Sequence, residues 1–484
     1  MSKGHRLNSA IIKLMAFFHL TFIGGSRTFQ KFPSLTNKVL TTPENEVTME
    51  KNAYDDHVLH SEGFEREGCD YTYNGLSLSS VISRVETPSY IYFLDILARK
   101  IQELRDFSTS INGSGTDIFY SVKANPATQI LTAILESGLN VEVSSMGELD
   151  HVLKTGFNPE RIILLGPGKE EDLIRRASEM HIRGIIAESF RELELISKYY
   201  DGNMVVLVRL NMEDETSKAL ESMSGSESKF GIDVKNLEEI VRRSRFVPEG
   251  KFGFQYYLGS QVLDYKESLR LHEKMLSYMQ RFRERVDYID LGGGFGVPMT
   301  PKDLKFDFGS FSSGLNRILR DNGLDGKKIW FESGRFLVAD CGLFVTRIVD
   351  IKTAGNGGTM LTTDGGMNNF FRIAFLGADH PIRAIGSGTT FTLKPATVCG
   401  PLCTPIDCFG KNILIPDCVR EGDPVLIFKA GAYGLSLSPV LFLLQKVPGE
   451  YAVKNNKLGG SNHPPIGAET VLSFIYAREG SELH

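Results

Sequence analysis

The chain has 484 residues, 42% hydrophobic and 23% charged, the mix of a soluble globular protein large enough for two domains. With a net charge of −5 no basic surface argues for a nucleic-acid partner, and a small or neutral partner fits better. Six cysteines (Cys69, Cys341, Cys399, Cys403, Cys408, Cys418) include no C-x-x-C pair, which argues against a zinc site or a thioredoxin-type motif; reduced thiols in a cytoplasmic protein are expected.

In chain order, the first segment of note is AIIKLMAFFHLTFIG, from Ala10 to Gly24, preceded by Lys3 and Arg6. It is similar to a weak signal peptide, but it is too short to span a membrane, and Lys13 and His19 interrupt it. Residues 1–72 are therefore expected to form an extension outside the core, with export as the alternative. In residues 73–116, ETPSYIYFLDILARKIQELRD reads as a strand and a helix that lead into the next domain.

From Asp117 to Gly342 short apolar runs alternate with amphipathic stretches. The runs are IFYSVKA, LNVEVSS, RIILLG, RGIIAES and VVLVRLN, about 22 residues apart, then KFGFQYYLGS, DYIDLGGG and KIWFESG at wider spacing. Each has few polar interruptions, as strands buried on both faces should. Helix patterns such as ATQILTAILESGL and MGELDHVLKTGF separate them and close near Gly138 and Gly156. Eight such units predict a (β/α)8 barrel over 117–342. The texture then changes to strand-like runs broken by Gly and Pro, which predicts a β domain over 343–450 and a tail over 451–484.

In such a barrel the chemistry sits at the C-terminal strand ends, and the polar residues collect there: Lys123, Glu142, Glu188, Arg209, Tyr257, Ser260, Glu332 and Arg335. A lysine inside an apolar strand end is costly unless paired or used. Burial would lower the Lys123 pKa and free its amine to form an imine. Gly292, Gly293 and Gly294 expose backbone N–H groups after a strand, and with Ser260 and Arg335 on neighbouring strands they read as a phosphate seat.

These residues resemble the fold-type III pyridoxal-phosphate (PLP) decarboxylases, the diaminopimelate, ornithine and arginine decarboxylase family. FYSVKANP, VEVSSMGEL, SKFGID, GSQ, DLGGGFG, ESGR, DGGMNNFFR, GPLC and GAYG occur in family order from about Gly75 to Val447, with wording closest to diaminopimelate decarboxylase. The resemblance implies that Lys123 holds PLP as a Schiff base. It also implies that Gly292–Gly294, Ser260 and Tyr433 hold the phosphate with Arg335 nearby, and that Glu332 meets the pyridine nitrogen. Glu142 and Tyr257 join the cofactor set. Cys403 would enter a partner's site as proton donor, making a homodimer. Arg335, Asp364, Arg372 and Thr404 match substrate-side positions.

Three departures bear on the substrate. Tyr257 stands where the family places a histidine over the ring. Thr404 follows Cys403 where the family has an acid for the substrate's distal ammonium, with Asp407 as a possible substitute. Pro439, Val440 and Leu441 replace polar residues after GAYG, implying a more apolar pocket wall. Arg372 implies a second carboxylate or an acyl oxygen on the substrate. Three readings remain: a decarboxylase of a conjugated or carrier-linked amino acid, a meso-diaminopimelate decarboxylase of lysine biosynthesis, and a PLP-binding regulator without turnover.

Overall fold

Strands buried on both faces organise the centre of the protein. The computed structural model describes residues 55–111, 115–212, 228–355, 357–388 and 390–475; the signal-like Ala10–Gly24 segment lies outside them. Eight parallel strands run Thr116–Ser121, Asn140–Val143, Ile162–Leu164, Gly184–Ala187, Val205–Asn211, Phe252–Gln255, Tyr288–Asp290 and Lys328–Ser333. Glu332 pairs with Phe119, so the last strand closes on the first, and the predicted barrel is formed. A two-residue strand, Ile232–Asp233, adds to the end of the fifth.

Two layers fill the barrel. Phe119, Ile163, Ile186, Leu207, Tyr288 and Trp330 make a dry apolar plug at the lower level. Gly253 leaves room there, because a Cβ would stand 2.0 Å from the Tyr288 carbonyl oxygen. Two residues further along the strands five of these six inward positions are polar and buried, Ser121, Glu188, Arg209, Asp290 and Glu332, and the sixth is the apolar Leu165. The plug is thus the floor of a polar chamber at the C-terminal end.

Local chemistry sets the helices between strands. Ser145 caps Met146–Thr155 by accepting from the Glu148 N–H at 3.1 Å, while Glu148 accepts from the Ser144 N–H at 2.7 Å. Gly156, with φ +106°, ends that helix, and Gly138, with φ +81°, ends Thr128–Ser137.

The second domain is a sheet drawn from both ends of the chain. Its long strand Gly342–Thr353 pairs with Thr359–Thr363, Pro424–Ile427 and Ser89–Phe93. Ser89–Phe93 pairs in turn with Gly449–Lys454. The domain edges therefore differ from the sequence reading. The lead-in strand belongs to this sheet, and the boundary at 451 falls inside Gly449–Lys454. The boundary at 72 falls inside Asp70–Tyr73, part of a meander with Phe64–Glu67 and Leu76–Ser77. Phe64 and Tyr73 lie in the core, their ring centroids 4.9 and 4.6 Å from Phe93. Apolar burial, invisible in so short and charged a stretch, ties the meander down. Among the described residues no helix is long and apolar enough to cross a membrane.

Candidate active site

The cavity at the barrel mouth is lined by Ser121, Lys123, Tyr257, Ser260, Gly294, Glu332, Arg335 and Tyr433, among others. Lys123 sits in a short helical turn, Val122–Ala124, just past the first strand. Its Nζ donates to Glu142 Oε1 at 2.8 Å, and Ser121 Oγ donates to Glu142 Oε2. Burial pulls the Lys123 ammonium down, but Glu142, Glu332 and Tyr433 outweigh it and hold the group above the ordinary lysine range. The expectation of a lowered pKa is corrected here: the anions around the amine decide its charge.

Glu332 is buried beneath the cavity, with Gln255 Nε2 donating to its Oε1 at 3.1 Å. Asp290 lies beside it on the neighbouring strand, its Oδ2 buried with no hydrogen-bond partner among the described residues. Burial raises both: Asp290 to about 7, Glu332 well above the carboxylate range, with Asp290 and Glu142 adding to the rise at Glu332. Burial in one pocket favours the neutral form of both carboxyls. Asp290 and Gln255 were missed in the sequence, although alternation along DYID and GFQ aims both inward with Glu332.

The glycine turn is built against this pair. Asp290 Oδ1 accepts from the Gly292 N–H at 2.9 Å, and Glu332 N–H donates to the Gly292 carbonyl at 2.7 Å. A Cβ on Gly293 would stand 1.6 Å from the Glu332 carbonyl oxygen, and one on Gly294 2.1 Å from the Gly259 carbonyl oxygen. Among the described residues no acceptor takes the Gly293 or Gly294 N–H. Tyr257 closes one side, its hydroxyl 3.0 Å from Ser260 Oγ, and burial pushes it up to about 12. Behind Tyr257 stands Arg209, 6.0 Å from its ring and 3.2 Å from Glu188 Oε1, with Phe230 of the SKFGID run over the guanidinium at 4.5 Å.

The second domain contributes Tyr433. Its N–H donates to the Ala124 carbonyl at 2.7 Å, and Asn125 Nδ2 donates to the Gly431 carbonyl at 2.8 Å, which locks GAYG onto the lysine turn. Tyr433 takes φ +54°, a left-handed conformation that a tyrosine adopts only when its surroundings impose it. Arg335 and Arg372 lie against its ring at 5.0 and 5.9 Å.

Other expected residues are not brought here. Asp364 accepts from Thr87 Oγ1 and Thr346 Oγ1, both at 2.6 Å, and from the Arg347 N–H at 2.8 Å. Both its oxygens brace the sheet, so its expected substrate-side role is corrected. Cys403 is exposed, and Thr404 Oγ1 is buried with no hydrogen-bond partner among the described residues. Asp407, the possible ammonium partner, points inward and accepts from the Met367 and Leu402 N–H groups, each at 2.7 Å. It ties two loops together instead. Leu441 is 49% exposed, as is Leu443, with Leu437 and Leu444 close behind. This segment faces outward rather than walling the chain's own cavity.

A lysine facing a glycine turn with free N–H groups, above two buried carboxyls, defines a barrel enzyme that holds a phosphorylated carbonyl cofactor. The donor set fits PLP: an amine for its aldehyde, free N–H groups with Ser260 and Arg335 for its phosphate, and a buried carboxyl for its ring nitrogen. The family model described as "Pyridoxal-dependent decarboxylase, pyridoxal binding domain" matches residues 97–339. The chain is 31% identical over 397 residues to the L-glutamyl-[BtrI acyl-carrier protein] decarboxylase of Niallia circulans, covering 78% of this chain and 91% of that protein. It is 28% identical over 376 residues to the 2-[(L-alanin-3-ylcarbamoyl)methyl]-2-hydroxybutanedioate decarboxylase of Staphylococcus aureus, covering 74% and 92%. The structure of diaminopimelate decarboxylase from Helicobacter pylori complexed with L-lysine superposes with a TM-score of 0.72 at 26% identity, covering 82% of this chain and 98% of that one. The chain belongs to the fold-type III PLP-dependent decarboxylases and is a carboxy-lyase.

Proposed function

We propose that this enzyme decarboxylates an amino acid presented as a conjugate or on a carrier protein, rather than a free diamino acid. The observation that carries this reading is the Cys403 loop: Thr404 replaces an acid, and Asp407 spends its carboxylate on backbone N–H groups. A distal ammonium delivered there would be buried without an anion, which costs several kcal/mol. The relatives that act on glutamyl-carrier and carbamoyl-linked substrates support the same reading.

In this reading Lys123 holds the cofactor, and the Gly292–Gly294 turn, Ser260, Arg335 and Tyr433 hold its phosphate. Bound PLP supplies an electron sink for the pair left behind when the α-carboxylate departs as CO2. Glu332, backed by Asp290 and Gln255, keeps a proton at the pyridine nitrogen. Glu142 orients Lys123, and Tyr257 covers the ring. Arg372 meets a carboxylate or acyl oxygen on the substrate. Cys403 of one copy brings a proton to the α-carbon in the partner's cavity, so the working form is a homodimer. The exposure of Cys403 and of the apolar Leu437–Leu444 segment supports this assembly.

The test is CO2 release from a panel of free diaminopimelate, ornithine and glutamate against carrier-linked and citryl-linked amino acids. The expected kcat/KM is roughly 10²-fold higher for a linked substrate, the size of one unpaired buried charge. Comparable turnover of free meso-diaminopimelate would replace this reading with the lysine-biosynthetic one, which the likeness to the Helicobacter pylori enzyme favours.

A further inference from the structure

Four of the six cysteines stand in two facing pairs, away from the barrel cavity. Cys69 Sγ, in the N-terminal meander, lies 3.0 Å from Cys418 Sγ in the sheet domain. The surrounding backbone is fitted to this contact. Gly386 N–H donates to the Cys69 carbonyl at 3.2 Å, and a Cβ on Gly386 would stand 2.8 Å from Cys418 Sγ. Cys399 and Cys408 are register partners where Leu393–Cys399 meets Cys408–Pro416, at a shift in the ladder's register. Directly opposed residues of an antiparallel ladder have Cα atoms roughly 4.5–5.5 Å apart, inside the range a disulfide spans. Between them run residues 400–407, the loop that carries Cys403 and Thr404.

We propose that Cys69–Cys418 and Cys399–Cys408 are two disulfide-forming sites, and that the second staples the base of the loop that presents Cys403.

Each pair has an attacking and a resolving thiol. Cys418 is partly exposed, whereas Cys69 is buried and pushed up to about 11 by that burial and by its neighbour. Cys408 is lowered to about 7 by the facing Cys399 thiol. The oxidant is a low-molecular-weight disulfide such as oxidised glutathione. The Cys408 or Cys418 thiolate attacks one sulfur of that disulfide and expels a small thiolate, leaving a mixed disulfide. Cys399 or Cys69 then loses its proton to the expelled thiolate and attacks the protein sulfur, releasing the second small thiol. Two protein thiols are oxidised by two electrons, and one small disulfide is reduced to two thiols. Cys341 is buried with its thiol on the Val338 carbonyl, and Cys403 is exposed; neither has a thiol partner among the described residues.

The test uses the full-length PLP-loaded chain in a glutathione redox series, read by alkylation and peptide mass mapping. Oxidation should yield a Cys69–Cys418 and a Cys399–Cys408 linked peptide, while Cys403 still alkylates in the native protein. Reactive thiols in denaturant should fall from the six of the sequence to two. Amide exchange over residues 400–407 should slow about tenfold once the loop is closed. Cys408→Ser should lose only the second link and Cys418→Ser only the first. Six reactive thiols after oxidation, adducts that stop at single glutathionylated cysteines, or a Cys403–Cys408 link would overturn the proposal. The wild-type peptide map decides the question even where a variant fails to fold.

Discussion

At the scale of the residue, neighbours outweigh depth for the barrel-mouth lysine, whereas burial raises Asp290 and Glu332. The carboxylate neighbours of Lys123 hold it protonated, yet imine formation needs a neutral amine. Loading of the cofactor-free protein with PLP should therefore accelerate as pH rises. Glu142→Gln, which removes the nearest anion, should load faster than wild type near pH 7, and the growth of visible absorbance measures it. Asp290 gives a second expectation. Its folded pKa of about 7 lies above its ordinary 3.8, so the stability from the protonated carboxyl is full below 3.8 and is lost as pH rises through about 7. The difference in Tm between wild-type protein without cofactor and Asp290→Asn should shift against wild type across that window. Glu332, shifted in the same direction, leaves a residual slope in the variant. A Tm difference independent of pH would refute the raised Asp290 carboxyl.

At the scale of the element, the glycine turn shows why short motifs carry geometry. Gly293→Ala would drive a methyl into the Glu332 carbonyl, so it should cost about 3 kcal/mol or more in denaturant unfolding and lose PLP retention. Gly326→Ala, with φ +83° but nothing within 4 Å, should cost about 1 kcal/mol and leave the cofactor in place. Much at this scale was legible beforehand. All eight barrel strands follow apolar runs, and Gly138 and Gly156 end the helices that they punctuate in the sequence. What stayed hidden were contacts with no local period. Asp364 looked like a substrate residue because its motif does, but its oxygens answer to Thr87 and Thr346, far off in the chain. Asp407 turned inward for the same kind of reason, and Phe64 and Tyr73 are core residues in a stretch too short to show a pattern.

At the scale of the whole molecule, the proposed sharing of a site between two copies makes a direct prediction. A mixture of Lys123→Ala and Cys403→Ala proteins, each inactive alone, should recover about a quarter of wild-type activity after subunit exchange, because half of the dimers then contain one intact site of two. No recovery, with dimers present in sedimentation, would place both groups in one chain's own site. The route of the chain has its own consequence. The sheet that braces Tyr433 against the lysine turn needs Ser89–Phe93 from before the barrel and Gly449–Lys454 from after it. During synthesis the early strand and its aromatic meander must wait, edges open, while the ribosome finishes the barrel and the rest of the sheet. A nascent chain halted just before Gly449 would carry every group of the barrel cavity, yet leave that sheet unclosed. The enzyme's maturation is therefore timed by its C-terminal strands, Gly449–Lys454 and Lys457–Leu458, and a chaperone that shields Ser89–Phe93 until then would raise the yield of native protein.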